Sequence, residues 1–176
     1  MTITHSEMVM KLAKTGEAIY ASMSPQKLHV WHMASCLMGE AGEVLSRDSS
    51  DNLKEELGDL EFYLSGLNSG LLIMLKVKHN LTKEEQYFNP YISLTIEACN
   101  IFDVCKKWFI YEKELDRNKL MLNIARYEFY RDVILLENNL TLKEVLQANM
   151  DKLAKRYGAD FTYSNKAAQE RVDKQA

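Results

Sequence analysis

The chain has 176 residues, of which 47% are apolar, so it is long enough for one domain with a buried core. Its formal net charge of −3 provides no broad basic surface, which argues against sequence-independent binding to long nucleic acid. Proline occurs twice and glycine seven times, a composition that favours an all-α fold over a turn-rich β fold.

The cysteine pattern and the apolar runs indicate the compartment. Cys36, Cys99 and Cys105 are odd in number and form no Cys-x-x-Cys pair, so we expect reduced thiols and neither a disulfide framework nor a zinc site. The first ten residues lack the basic and apolar regions of a signal peptide. The longest apolar run, residues 71–75, is too short to cross a bilayer. We therefore expect a soluble cytoplasmic protein with no membrane partner.

The N-terminal half predicts three helices. The first covers about residues 4–20, and the second begins at Pro25 after the capping residue Ser24 and continues to about residue 47. The polar residues 48–52 predict a loop. From Leu53 onward, apolar residues recur at alternating steps of four and three, which is typical of a helix with one buried face. That stripe consists of Leu53, Leu57, Leu60, Leu64, Leu67, Leu71 and Met74.

The C-terminal half contains two capping boxes, in which a threonine hydroxyl and a glutamate satisfy each other's backbone donors. They are Thr82 with Glu85 and Thr141 with Glu144. The second box begins a helix over about residues 141–156 that should stop at Gly158.

Two further helices are predicted over residues 90–111 and 118–137, with the charged stretch 112–117 between them. Together these elements predict a bundle of five to six helices in one domain, residues 1–158. The polar residues 159–176 predict a C-terminal arm or a partly disordered segment.

Two pairs of acidic residues carry the candidate chemistry. Glu40 and Glu43 lie three residues apart on the second helix, and Glu56 and Asp59 lie three apart on the third, so each pair shares a helical face. The short loop makes the two helices antiparallel neighbours. Four carboxylates without histidine or cysteine suit Mg²⁺, or alternatively Mn²⁺. An isolated acidic pair is usually a solvated surface, but Glu56 and Asp59 border the leucine stripe, where a carboxylate needs a partner.

Glycines accompany these acids. Gly42 and Gly58 lie in helix interiors, where glycine costs up to about 1 kcal/mol relative to alanine. A close backbone approach would explain both.

Residues 39–44 (GEAGEV), residues 55–60 (EELGDL) and the following Tyr63-Leu64 resemble the signature of the MazG-like all-α nucleoside triphosphate pyrophosphohydrolases. Residues 140–158 also resemble the C-terminal helix of phage and bacterial members of that family. The resemblance implies that the four acids bind Mg²⁺, and that water attacks the α-phosphorus to yield a nucleoside monophosphate and pyrophosphate. The physical chemistry agrees, because such ions orient triphosphates and activate water.

Six further residues are candidates for binding the substrate. The resemblance places Tyr63 near the phosphates, with a core aromatic as the equal alternative. It also matches His32 to a family histidine, but packing between helices is the favoured role for His32 because no second histidine or carboxylate partner is evident. Positively charged side chains could bind the β and γ phosphates, although surface lysine and arginine usually serve solvation. The candidates are Lys54, Lys152, Lys155 and Arg156.

Residues 76–139 form an insertion relative to simple family members and suggest a degenerate internal duplication. Residues 96–101 echo residues 39–44, and residues 127–130 echo residues 60–63. In that alignment three acids are replaced by Asn100, Asn123 and Arg126, so the second half would lack a metal site.

The sequence therefore predicts a Mg²⁺-dependent pyrophosphohydrolase acting on a noncanonical or deoxy nucleoside triphosphate or on a signalling nucleotide. The family resemblance further implies nucleotide pool control in a phage or bacterial setting and a homodimer or homotetramer. A catalytically silent helical interaction protein is the alternative. A di-iron bundle is disfavoured because no Glu-x-x-His pattern occurs.

Overall fold

The computed structural model describes residues 3–46, 50–72 and 89–174. These residues form helices and no strand, which confirms the all-α prediction for the described part of the chain. The elements are α1 (His5–Leu12), α2 (Gly16–Ala21), α3 (Pro25–Ser46), α4 (Ser50–Leu71), α5 (Pro90–Phe109), α6 (Arg117–Glu137), α7 (Leu142–Tyr157), α8 (Asn165–Glu170) and a terminal 3₁₀ turn (Val172–Lys174).

The N-terminal region corrects the prediction of one helix over residues 4–20. Helix α1 ends at Leu12, and a new helix begins at Gly16. The Thr15 side chain accepts a hydrogen bond from the Ala18 N–H at 3.2 Å and so caps α2. A threonine side chain competes in this way with a continuing helix, and no residue of α1 or α2 is buried to favour one long helix instead.

Helices α3 and α4 pack as antiparallel neighbours, as the sequence predicts. Near the start of α3, Gln26 donates from Nε2 to the carbonyl oxygen of Gly70, close to the end of α4, at 2.9 Å. One turn later in α3, a His29 ring nitrogen lies 3.0 Å from the Gly66 carbonyl oxygen, one turn earlier in α4. The start of α3 thus contacts the end of α4, so the two helices run in opposite directions and the end of α3 lies beside the start of α4.

The leucine stripe of α4 forms the core as predicted, because its six leucines from Leu53 to Leu71 are each at most 3% exposed. Helix α4 begins at Ser50, so the predicted loop is wrong for residues 50–52. Serine and aspartate are favourable at the start of a helix, which accounts for the earlier start. Met74 and the Thr82 and Glu85 capping box lie outside the described residues.

Helices α5 and α6 form a second packed pair, and α3 contacts both α4 and α5. Between the two pairs, Arg131 of α6 binds Glu61 of α4 at 3.1 Å, with both side chains less than a tenth exposed. A buried pair of this kind adds little net stability relative to apolar residues, but the loss of one partner leaves an uncompensated buried charge. The internal duplication is consistent with two hairpins but stays a prediction.

Helix α7 packs against α4 and begins with the predicted capping box, in which Thr141 accepts from the Glu144 N–H and Glu144 accepts from the Thr141 N–H. It ends at Gly158, whose φ of 85° is the left-handed conformation that glycine favours. The following residues 159–174, which we call the C-terminal arm, contain α8 and the 3₁₀ turn and fold back onto α7.

Within the described residues, none of the helices combines the length and the apolar character that a bilayer-spanning segment requires.

Candidate functional site

Three of the four predicted acids come together where α3 meets α4. One carboxylate oxygen each from Glu40, Glu43 and Glu56 lies within 4.8 Å of the other two. We call these three residues the acidic cluster. Glu40 and Glu43 are one turn apart on α3, and Glu56 faces them from α4 with only 5% of its surface exposed. The antiparallel packing of the two helices therefore converts two local spacings into one group of oxygens.

The acidic cluster is electrostatically strained. Burial, followed by the negative charges of Asp59, Glu43 and Glu56, raises the pKa of Glu40 to about 7. Burial and the neighbouring carboxylates also raise the pKa of Glu56. Like charges that share a partly buried site make ionisation costly unless a cation joins them. No lysine or arginine in the described part of the chain forms an ion pair with any member of the cluster.

The donor set fits a hard divalent cation. All candidate ligands are carboxylate oxygens, which Mg²⁺ prefers, and no histidine or cysteine lies in the group. At the bond lengths of Mg²⁺, oxygens on opposite sides of the ion are about 4 Å apart. Three oxygens cannot all lie opposite one another around one ion, so the three oxygens, which lie within 4.8 Å of one another, would have to move closer together to bind it.

Asp59, the fourth predicted ligand, is held by α7 instead. Lys152 donates from Nζ to both oxygens of Asp59 at 2.5 Å, and Asn149 donates from Nδ2 to one of them at 2.8 Å. Lys152 also lies 3.3 Å from Glu55. Asp59 is thus not a member of the acidic cluster, and Lys152 already balances its charge. Its predicted role as a metal ligand stays a prediction.

A glycine explains how α7 comes so near. A Cβ atom added to Gly58 would lie 2.9 Å from the Asn149 Cβ, closer than side chains allow. Gly58 therefore permits the contact between α4 and α7 that positions Lys152, as the sequence predicts for a close approach. The same prediction is wrong for Gly42, since a Cβ there meets nothing within 4 Å.

The C-terminal arm reaches the edge of this site. Asp173 accepts from Arg156 Nε at 2.6 Å and from Nη2 at 2.5 Å, and its side chain is fully buried. Lys174 forms an ion pair with Glu55. Arg156, predicted as a phosphate ligand, is thus engaged by the arm, although it still lines the adjacent cavity.

Two cavities adjoin one another beside the cluster. The first, which we call the acidic cavity, has a volume of about 330 Å³ and is bordered by Glu40, Asp59, Arg156 and Arg171. The second, the aromatic cavity, has a volume of about 360 Å³. It is lined by His32, Met33, Phe62, Tyr63, Leu153, Tyr157, Phe161 and Tyr163. Four residues line both cavities, namely Phe62, Tyr63, Leu153 and Tyr157.

Tyr63 stands between the two cavities and keeps its proton. Burial, followed by the charges of Cys36 and Glu40, raises the pKa of the Tyr63 phenol well above its usual range. Burial also raises the pKa of the Cys36 thiol, which is hydrogen-bonded to Tyr63. At neutral pH the phenol is therefore a hydrogen-bond donor, and the thiol is not an activated nucleophile.

Of the remaining sequence candidates, His32 lies at the site, whereas Lys54 and Lys155 do not. His32 lines the aromatic cavity, and its ring lies edge-on to Tyr63 with centroids 6.2 Å apart. Lys54 lies instead near Glu144 at the start of α7. Lys155 is exposed and lines neither the acidic nor the aromatic cavity. Lys54 and Lys155 are thus not brought to the site, because their helical positions face away from it.

Several residues at the site were not among the sequence candidates. They are Glu55, Asn149, Tyr157, Phe161, Tyr163, Arg171, Asp173 and Lys174. The sequence could have identified Asn149, because it precedes Lys152 by three residues and Arg156 by seven. This spacing places all three side chains on one helical face. The sequence could not have identified the arm residues, because no local sequence pattern indicates where a polar terminal segment docks.

No protein-family model, curated protein or solved structure matches this chain. The MazG-like assignment therefore stays a prediction based on the motif resemblance.

Proposed function

We propose that this protein is a Mg²⁺-dependent nucleotide pyrophosphohydrolase that cleaves a nucleoside or deoxynucleoside triphosphate between its α and β phosphates. The observation that carries the proposal is the grouping of Glu40, Glu43 and Glu56, whose carboxylate oxygens lie within 4.8 Å of one another, with Glu40 also bordering the acidic cavity. Their mutual repulsion and the lack of an ion-paired lysine or arginine within the described residues favour a bound divalent cation.

Each residue of the site has a definite part in this reaction. Glu40, Glu43 and Glu56 would hold the cation, which when bound supplies charge neutralisation and a water of lowered pKa. Lys152 and Asn149 orient Asp59 at the cavity wall, where its carboxylate can accept a hydrogen bond from an attacking water. The phenol of Tyr63, which keeps its proton and is hydrogen-bonded to Cys36, would donate to a phosphate in the same cavity by turning away from that sulfur.

Other features of the proposal rest on the family resemblance alone. They are the products, a nucleoside monophosphate and pyrophosphate, a role in nucleotide pool control in a phage or bacterial cytoplasm, and a dimeric or tetrameric assembly. The substrate would be a noncanonical or deoxy nucleotide, or a signalling nucleotide.

The test incubates the purified full-length protein with nucleoside triphosphates, deoxynucleoside triphosphates, modified deoxynucleotides and guanosine polyphosphates, with and without Mg²⁺. Pyrophosphate is resolved from orthophosphate. The Glu43→Gln variant removes one cluster oxygen charge, while Glu137→Gln makes the same change at the exposed end of α6 as a control. We expect Mg²⁺-dependent pyrophosphate release that falls at least about a hundred-fold in Glu43→Gln and is unchanged in Glu137→Gln.

A different result would favour the interaction protein. If no nucleotide is turned over, and calorimetric titration detects no Mg²⁺ or Mn²⁺ binding, the enzymatic proposal fails. Orthophosphate release without pyrophosphate would retain a hydrolase but contradict the position of the cleavage.

A further inference from the structure

The C-terminal arm is anchored beside the acidic cluster by two ion pairs. The fully buried Asp173 carboxylate receives both Nε and Nη2 of Arg156, a two-point geometry that fixes orientation as well as distance. Lys174 contacts Glu55, the neighbour of Glu56 on α4. The arm is therefore attached to α7 and to α4, two of the helices that border the site.

From this position the arm contributes a side chain to each cavity. Arg171 borders the acidic cavity together with Glu40 and Asp59. Phe161 and Tyr163 line the aromatic cavity. Because the cavities share walls, one elongated ligand with an anionic end and a flat apolar end could occupy both.

The backbone at two of these positions is unusual. Phe161 has a φ of 51° and Arg171 a φ of 45°, both in the left-handed region. Large side chains rarely adopt this conformation, and glycine would adopt it without steric cost. Arg171 is the left-handed C-cap of α8, an ordinary way for a helix to end, and its conformation matters here because glycine can replace it without strain.

The cations around the acidic cavity differ in their availability. Lys152 is bound to Asp59 and Glu55, and Arg156 is bound to Asp173. The Arg171 guanidinium forms no ion pair with any residue that the structure describes. Arg156 holds the Asp173 carboxylate and lowers the pKa of that carboxyl, and the charge of Arg171 helps to lower it, but Arg171 can turn to a phosphate without breaking an ion pair of its own.

We propose that the C-terminal arm recognises the nucleotide at both ends, with Arg171 contacting phosphate oxygens and with Phe161 and Tyr163 forming the aromatic wall that receives the base. This inference rests on the proposed function for the identity of the ligand. A heterocycle suits the aromatic cavity better than an alkyl chain, because the phenol of Tyr163 and the imidazole of His32 provide polar edges among the rings.

The experiment measures binding to the full-length protein by calorimetry in Mg²⁺, so it needs no turnover. Inorganic tripolyphosphate probes the phosphate end, and the common ribonucleosides and deoxynucleosides probe the base end. Arg171→Gly and Phe161→Gly keep backbones that glycine adopts readily. Lys166→Ala is the control, since Lys166 lies on the same arm with 82% of its side chain exposed.

We expect Arg171→Gly to weaken tripolyphosphate binding about ten-fold and to leave nucleoside binding unchanged. Phe161→Gly should do the reverse, with about a ten-fold loss for nucleosides. Lys166→Ala should match the wild-type protein for both probes. Circular dichroism and the midpoint of thermal unfolding check that each variant is folded.

Three results would overturn the inference. Both variants could bind both probes like the wild type, each could lose both probes together, or the wild type could bind neither probe. Geranyl diphosphate, in which an alkyl chain replaces the nucleoside, is titrated against the nucleoside triphosphates, and tighter binding of it than of every nucleotide would overturn the assignment of the aromatic cavity to a base. If both probes bind as expected but no pyrophosphate is released from any triphosphate, the proposed reaction fails while arm recognition stands.

Discussion

Replacing Glu40 by glutamine should stabilise the metal-free protein at pH 8 and have little effect on stability near pH 5. The carboxyl of Glu40 has a pKa of about 7 in the folded protein and an ordinary value of 4.5 when unfolded. Below pH 4.5 both states hold the proton, and no stability is lost. As the pH rises toward 7, the unfolded state ionises first, so the folded state becomes progressively less favourable.

The size of this effect follows from the shift. Between 4.5 and about 7, each pKa unit corresponds to about 1.4 kcal/mol, which sets an upper bound of about 3 kcal/mol. Because Glu40 is only half buried, solvent screening reduces this bound to about 1 to 2 kcal/mol. Glutamine resembles the protonated acid in shape and removes the repulsion from Glu43, Glu56 and Asp59.

The assay is urea unfolding followed by circular dichroism in the presence of a chelator, at pH 5 and pH 8. Glu40→Gln is compared with the wild type and with Glu137→Gln, which makes the same change at an exposed residue of α6 outside the cluster. The reasoning is refuted if Glu40→Gln has the same effect at both pH values or destabilises the protein at pH 8. Added Mg²⁺ should make the wild type more stable than Glu40→Gln. A cation present at 100 times its Kd stabilises the folded protein that binds it by about 2.7 kcal/mol.

Two further predictions concern helix packing. Gly58→Ala should destabilise the protein by about 1 to 3 kcal/mol because its Cβ would meet Asn149 at 2.9 Å, whereas Gly42→Ala, with open space, should stabilise it by about 0.5 to 1 kcal/mol. Equal effects in thermal unfolding would contradict this contrast. Glu61→Ala should cost about 3 to 5 kcal/mol in urea unfolding by leaving Arg131 buried without its partner, and a loss below about 1 kcal/mol would show that the pair is solvated.

Local spacing accounts for what the sequence predicts well. The alternation of apolar residues by three and four places the leucines of α4 on one face, and all six described members of the stripe are buried. The Thr141 and Glu144 capping box marks the start of α7 because its hydrogen bonds join residues three apart. The same periodicity places Glu40 with Glu43 on one face, and the packing of α3 against α4 brings that face to Glu56.

Local sequence rules predicted helix boundaries least well where polar side chains can hydrogen-bond to the backbone and so end or begin a helix. The break between α1 and α2 depends on the Thr15 cap, which a continuous apolar pattern conceals. The early start of α4 depends on residues that are equally at home in a loop and in the first turn of a helix.

Only the tertiary structure decided which long-range partner each charged group takes. Asp59 shares its helical face with Glu56, yet it binds Lys152, 93 residues later, because Gly58 lets α7 approach α4. Likewise, Arg156 forms an ion pair with Asp173 once the arm folds back, and the arm brings Arg171 to the acidic cavity as well. Periodicity determines the face of a side chain, but its partner depends on which elements pack together, and that is set by burial over the whole chain.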